Sequence, residues 1–303
     1  MPLLNVSRPA SAGLCAFALM AVLSPAALAA PRQDGPQLLR FTYHQGKISK
    51  YQMTMTMKVN MEGLPGGAGA PAGLTKPMVT SSRVRSVVLQ VLPDGSARVK
   101  SVVTAIQTPG QEGGMGGLIK IKTSDSASKP IISVLDPRGA VKEVEGLPKD
   151  SKFGMVFSKM FGGATPFIFL PENPVSPGDT WQSPIDIPGL STGGTVDSTL
   201  VRYDTVAGRR IAVITYTMNM PLQIDPSMFG GTGAGTEGLT ATGTLTGTGA
   251  LHLDLAEGTL SSSDVDAKMS MSMAFAAGSP AAAQLPNGLK MGMGMRIKMR
   301  PLP

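Results

Sequence analysis

Methionine recurs at every second position in three separate stretches: YQMTMTMKVNM over 51–61, KMSMSMAF over 268–275 and KMGMGMRIKM over 290–299. A helix would scatter that spacing around its surface, whereas a strand sends alternate side chains to opposite faces. Met53, Met55, Met57, Val59 and Met61 therefore form one apolar stripe, backed by Thr54, Thr56, Lys58 and Asn60. Met269, Met271 and Met273 alternate with Ser270 and Ser272. Met291, Met293, Met295, Ile297 and Met299 line one face, while Arg296, Lys298 and Arg300 line the other.

The same period runs through most of the chain. It predicts strands over 47–61, 80–92, 96–107, 130–136, 140–145, 195–206, 209–220, 239–256, 259–275 and 289–300. Turn chemistry joins several of them: Pro93-Asp94-Gly95, Asp136-Pro137-Arg138-Gly139, Ala207-Gly208 and Glu257-Gly258. Strands as long as 239–256 must bend, and Gly243, Gly247 and Gly249 offer places for it. Only DSKFGMVFSKMF, 150–161, reads as a helix, capped by Asp150 or Ser151, with Phe153, Val156, Phe157 and Met160 on one face. The expected fold is mainly β, a long curved antiparallel sheet of half-barrel type with that one short helix packed against it.

The first thirty residues carry an address. Arg8 is the only charge before the apolar run at 13–23, Ser24-Pro25 breaks the run, and Ala27-Leu28-Ala29 supplies small residues for cleavage. We read 1–29 as a signal peptide, too short in its apolar run for an ordinary membrane span. Cys15, the single cysteine, sits near the start of that run rather than at its end, so it leaves with the signal instead of carrying lipid. The exported chain then has no disulfide and no thiolate chemistry. Residues 30–46 read as a leader, 31–40 as unstructured, 47–170 as an N-terminal β half containing the helix, 171–181 as a connecting turn, and 182–303 as a C-terminal β half continuous with the first. The destination is the periplasm or the exterior. The formal charge of +7 is spread without a basic arm or cluster.

Three uses of the methionine stripes are open. They can be the core of a half-buried sheet, since unbranched thioethers fill irregular space. They can line a groove for a lipid, an acyl chain or a hydrophobic peptide, with Met53, Met55, Met57, Met269, Met271, Met273, Met291, Met293 and Met295 as its candidates. They can also hold Cu(I), which favours soft sulfur ligands, though only His44 and His252 would add imidazole.

Enzyme chemistry finds little support. GLSTG at 189–193 matches the G-x-S-x-G pattern, with Ser191 in the nucleophile position and Asp204 or Asp225 and His252 in the right order. Pro188 precedes it, however, and strand-forming residues follow where a helix is needed. No P-loop, dinucleotide fingerprint or zinc motif is present, and no cofactor is expected. Acidic residues Asp136, Glu143, Glu145, Glu172 and Asp179 read as turn and surface groups. Nucleic acid would need basic and aromatic side chains interleaved, which the sequence lacks.

FIFLPENPVSPGDTW, 167–181, contains Leu170, Pro171, Pro174, Val175, Gly178, Asp179, Thr180 and Trp181. With LLRFTYHQGKISKYQMTMTM (38–57) and DPRGAVKEVEG (136–146) ahead of it, the segment resembles a family of secreted bacterial envelope proteins of unknown function that share a P-V-x-x-G-D-T-W turn. The resemblance implies an envelope protein and brings no active site. In architecture, long antiparallel strands around a helix resemble the half-barrels of lipoprotein carriers. In the turn itself, Asp179 and Thr180 are placed to satisfy backbone donors, and Trp181 reads as a packing anchor. The reading is an exported, non-catalytic binding or structural protein, partnered by a lipid, a hydrophobic peptide or another envelope protein, with no transmembrane span in the mature chain. A periplasmic Cu(I)-binding protein is its alternative, and a serine hydrolase through Gly189–Gly193 a distant third.

Overall fold

The structure, a computed structural model, describes residues 35–63, 77–107, 130–145, 169–187, 191–224, 239–276, 282–283, 285 and 288–303. The chain divides into two units, Met1–Asp34 and Gly35–Pro303, and every described residue belongs to the second. The described residues of that unit form eleven strands: β1 (Ile48–Glu62), β2 (Met78–Val91), β3 (Ala97–Gln107), β4 (Ile131–Leu135), β5 (Val141–Glu145), β6 (Thr180–Ile187), β7 (Ser191–Val206), β8 (Arg209–Ile224), β9 (Thr240–Asp254), β10 (Thr259–Ala274) and β11 (Leu289–Pro301). All ten strands expected from the period are present. β6, which opens on Thr180 and Trp181, is additional to those ten, and Pro184 interrupts its alternation.

All eleven form a single antiparallel sheet, in the order β5-β4-β3-β2-β1-β11-β10-β9-β8-β7-β6. Strands β1 to β5 pair in sequence, as do β6 to β11, and β1 pairs with β11, so the two halves of the chain join in the middle of the sheet. The edges are β5 and β6. The first is only five residues long and carries Lys142, Glu143 and Glu145, while the second carries Pro184, which has no amide hydrogen to offer a foreign strand.

Because direction reverses at every strand, connections alternate between the two ends of the sheet. One end bears the tight turns. There Asp136 Oδ1 accepts the amides of Arg138 (2.9 Å) and Ala140 (2.7 Å), and Asp254 Oδ1 accepts those of Ala256 (3.0 Å) and Glu257 (3.2 Å). The long Gly- and Pro-rich connections, 63–77, 108–130, 225–239 and 275–288, all leave from the other end.

The expected helix against the sheet is overturned. Every element of the described unit is a strand, and helical geometry among the described residues is confined to Ala282 and Ala283. Residues 150–161, where the helix was expected, lie outside the described residues. Extended chain does the packing instead. Gln37 and Val175 exchange backbone hydrogen bonds of 2.8 and 2.9 Å, and the amides of Phe41 and Thr42 donate to the carbonyls of Pro137 (2.7 Å) and Gly258 (2.9 Å). Leu39, Phe41, Leu170 and Val175 are thereby buried against Leu200, Ile214, Leu251 and Leu253 of the sheet. Each such side chain contributes about 1.5–3 kcal/mol on burial. The leader is thus ordered core from Leu39 onward, not featureless chain. Leu39, Phe41 and Tyr43 alternate with Arg40, Thr42 and His44, a short period-two run that turns one side to the core.

Candidate functional site

Register brings the three methionine stripes side by side. Across β1 and β11, Met53 stands opposite Met299, Met57 opposite Met295 and Met61 opposite Met291. Across β11 and β10, Met293 stands opposite Met269 and Met291 opposite Met271. Met55 faces Ile297, Val59 faces Met293, and Met273 faces Leu289. All nine candidate methionines therefore share one face of three adjacent central strands.

Their surroundings differ along the strands. Towards the tight-turn end, Met53, Met55, Met269, Met295 and Met299 pack against the main core. Towards the loop end, Met271 and Ala241 form a separate small cluster with Met273 and Met291 beside it. Met271 alone of the nine is buried, at 4 % exposure, and the others are half-buried. On β8, Met218 and Met220 extend the face into full burial. Among the described residues, the nine methionines thus form a half-buried apolar surface.

A hollow lies on the opposite face, and no methionine lines it. This trough of about 620 Å³ crosses β7 to β11 and is lined by Thr215, Thr217, Thr248, Asp266, Arg296 and Lys298, among others. His252 is on that polar face too, sharing a hydrogen bond of 2.9 Å with Ser262. Burial lowers its pKa, against the opposing pull of Asp264 and Asp204. The sheet thus separates the imidazole from the thioethers, and His44 is exposed at the tight-turn end. Among the described residues, no three of His, Cys, Asp and Glu converge on a metal-sized site.

The serine motif is not an elbow. Ser191 opens strand β7, paired with Ile187, so strand follows the serine where a helix would be required. His252 pairs with Val213, and Val213 with Arg202. Eleven residues of strand, about 36 Å, therefore separate Ser191 from the level of the histidine. Asp204 is engaged by Arg202 at 2.8 Å. Asp225 lies outside the described residues.

At the 174–181 turn, the Gly178 amide donates to Leu200 O (2.7 Å) and Asp179 Oδ2 accepts the Ser176 amide (2.7 Å). Gly178 has φ 96°, a left-handed conformation that glycine adopts without strain. Thr180 starts β6, opposite Thr199. The Trp181 indole donates to Phe169 O at 2.8 Å and packs on the core. These four residues dock β6 and the 169–175 segment onto the sheet.

Hydroxyls set into the apolar face were invisible to pattern reading. Tyr216 lies opposite Gly249, and a Cβ at Gly249 would sit 2.3 Å from the tyrosine Cζ, so the ring is laid over the glycine. Burial raises the Tyr216 pKa. Its hydroxyl, and those of Ser183, Ser198 and Ser263, are buried without a hydrogen-bond partner among the described residues.

No family model matches the chain, and no curated protein does. Among solved structures, a DUF1329 family protein from Desulfovibrio piger is matched over 84 % of this chain and 86 % of that one, with 10 % sequence identity and a TM-score of 0.22. A superposition that slight assigns neither family nor function. Among the described residues, no helix is long and apolar enough to cross a membrane.

Proposed function

We propose that this is an exported, non-catalytic binding protein of the bacterial envelope that holds the acyl part of a lipid against its methionine face. One observation carries the reading: three methionine stripes, far apart in sequence, meet on adjacent strands and stay half-exposed. Unbranched thioethers re-pack around varied apolar partners, which a surface of β-branched side chains does less readily.

The backbone favours a lipid over a hydrophobic peptide. β10, β11 and β1 are paired on both sides, so a peptide has no free edge to extend there, whereas an acyl chain needs only dispersion contacts. The N-terminal address and the resemblance of the 174–181 turn to secreted envelope proteins support export. The span between Ser191 and the level of His252 supports a role without hydrolysis.

Native mass spectrometry of the protein from its own host's envelope, beside a denatured spectrum, tests this. An adduct of lipid mass that denaturation releases is the expected result. Bare protein that also fails to take up added fatty acid contradicts it, and a copper-mass adduct retained after desalting would replace it with the metal reading.

A further inference from the structure

The fold gathers charges that the sequence disperses. On the face opposite the methionines, β2, β1, β11 and β10 present Arg83, Arg85, Lys58, Lys290, Lys298 and Lys268, all exposed. The acids of the same face are fewer and placed against cations. Asp266 is bonded by Arg296 (2.5 Å), Asp264 by Arg300 (2.7 Å), and Glu62 stands opposite Lys290. On these four strands the cations of this face outnumber its acids, which leaves the surface net positive.

Its middle is open. Lys58 and Lys268 both stand opposite Gly294, one on each side of β11. A Cβ at Gly294 would meet nothing within 4 Å, and one at Gly292 would touch only Asn60, at 4.0 Å. Two lysines thus flank a bare strip of backbone, about 9.6 Å apart across two strand spacings. Like charges held that close repel, and an anion between them relieves the repulsion.

We propose that this basic face docks the protein on an anionic phospholipid bilayer. The cations spread over four strands instead of converging in a cleft, which fits an extended anionic surface better than one small anion. Four of the six are lysines, compact point charges suited to a field of headgroups rather than to forked recognition of a single phosphate. No aromatic side chain stands among them to stack on bases, which disfavours nucleic acid. Attraction of this kind acts within a Debye length and is screened by salt.

Co-sedimentation of the full chain with vesicles tests the assignment. Vesicles of phosphatidylcholine mixed with phosphatidylglycerol are expected to bind it at low salt and release it at high salt, while pure phosphatidylcholine does not bind. The triple substitution Lys58→Gln, Lys268→Gln, Lys298→Gln is expected to weaken binding on the order of a hundredfold. The side chains are exposed, so an unchanged melting curve will show the variant folded. Lys47→Gln with Lys142→Gln, at the tight-turn end, leaves binding intact. Equal binding to neutral vesicles, binding that survives the triple substitution, or preference for a single-stranded oligonucleotide over anionic vesicles each overturns the proposal. Acyl-chain binding is independent: serine at Met57, Met291 and Met293 leaves vesicle binding unchanged.

Discussion

Tyr216 and Gly249 act as one unit. The ring occupies the space a side chain at 249 would need, and Asp264 O would lie 2.6 Å from an added Cβ. Gly249→Ala therefore lowers unfolding stability by about 1–3 kcal/mol. Tyr216→Phe does the reverse of what removal of a buried hydroxyl usually does. With no partner to orphan among the described residues, the variant is at least as stable as the parent in denaturant titration. A loss of about 1 kcal/mol or more would show that the hydroxyl is bonded in solution. Asp94 gives a third residue-scale test. Its pKa is lowered from 3.8 to about 2, first by Lys142 and then by the amide and hydroxyl of Ser96. A carboxylate held low in the folded state contributes stability that is complete above the unfolded value and lost as pH falls through the folded one. Carboxyl NMR is expected to show a midpoint near 2. Lys142→Met moves it back towards the ordinary value.

At the scale of elements, the extended segment from Gln37 to Thr42 packs against the sheet without being a strand of it. Its burial makes it structural: Leu39→Ala costs about 2–5 kcal/mol in unfolding stability. A change within a few tenths would show that the segment detaches freely. Gly258 holds the other side of this contact, with φ 58° and Thr42 atoms 2.3 to 2.6 Å from where a Cβ would stand. The strands were legible because period two recurs over long runs, and the tight turns because a glycine marks each of them, at 95, 139, 208 and 258. The docking of Leu39 and Phe41 was not: they alternate with Arg40 and Thr42, but alternation does not say what a face packs against. Nor was the junction of β1 with β11, because alternation tells which face a side chain takes and nothing about the neighbouring strand. The methionine stripes could therefore be read one by one, while their adjacency could not.

At the scale of the whole unit, one sheet separates two chemistries. Thioethers and aliphatic core lie on one face, lysines and arginines on the other, and the long connections leave from a single end. The segregation follows from the strict alternation of β1, β10 and β11 once register places them together. The basic face was illegible in the sequence for the same reason: Lys58 and Lys268 are 210 positions apart in the chain yet flank the same glycine. The methionine face is the central claim, and methyl-labelled methionine NMR tests it most directly. On titration with a medium-chain fatty acid, the signals of Met57, Met61, Met269, Met273, Met291, Met293 and Met295 are expected to shift together, while buried Met218 and Met220 hold still. Methionine signals that stay unmoved at saturating fatty acid, or shifts confined to groups away from β1, β10 and β11, would contradict it.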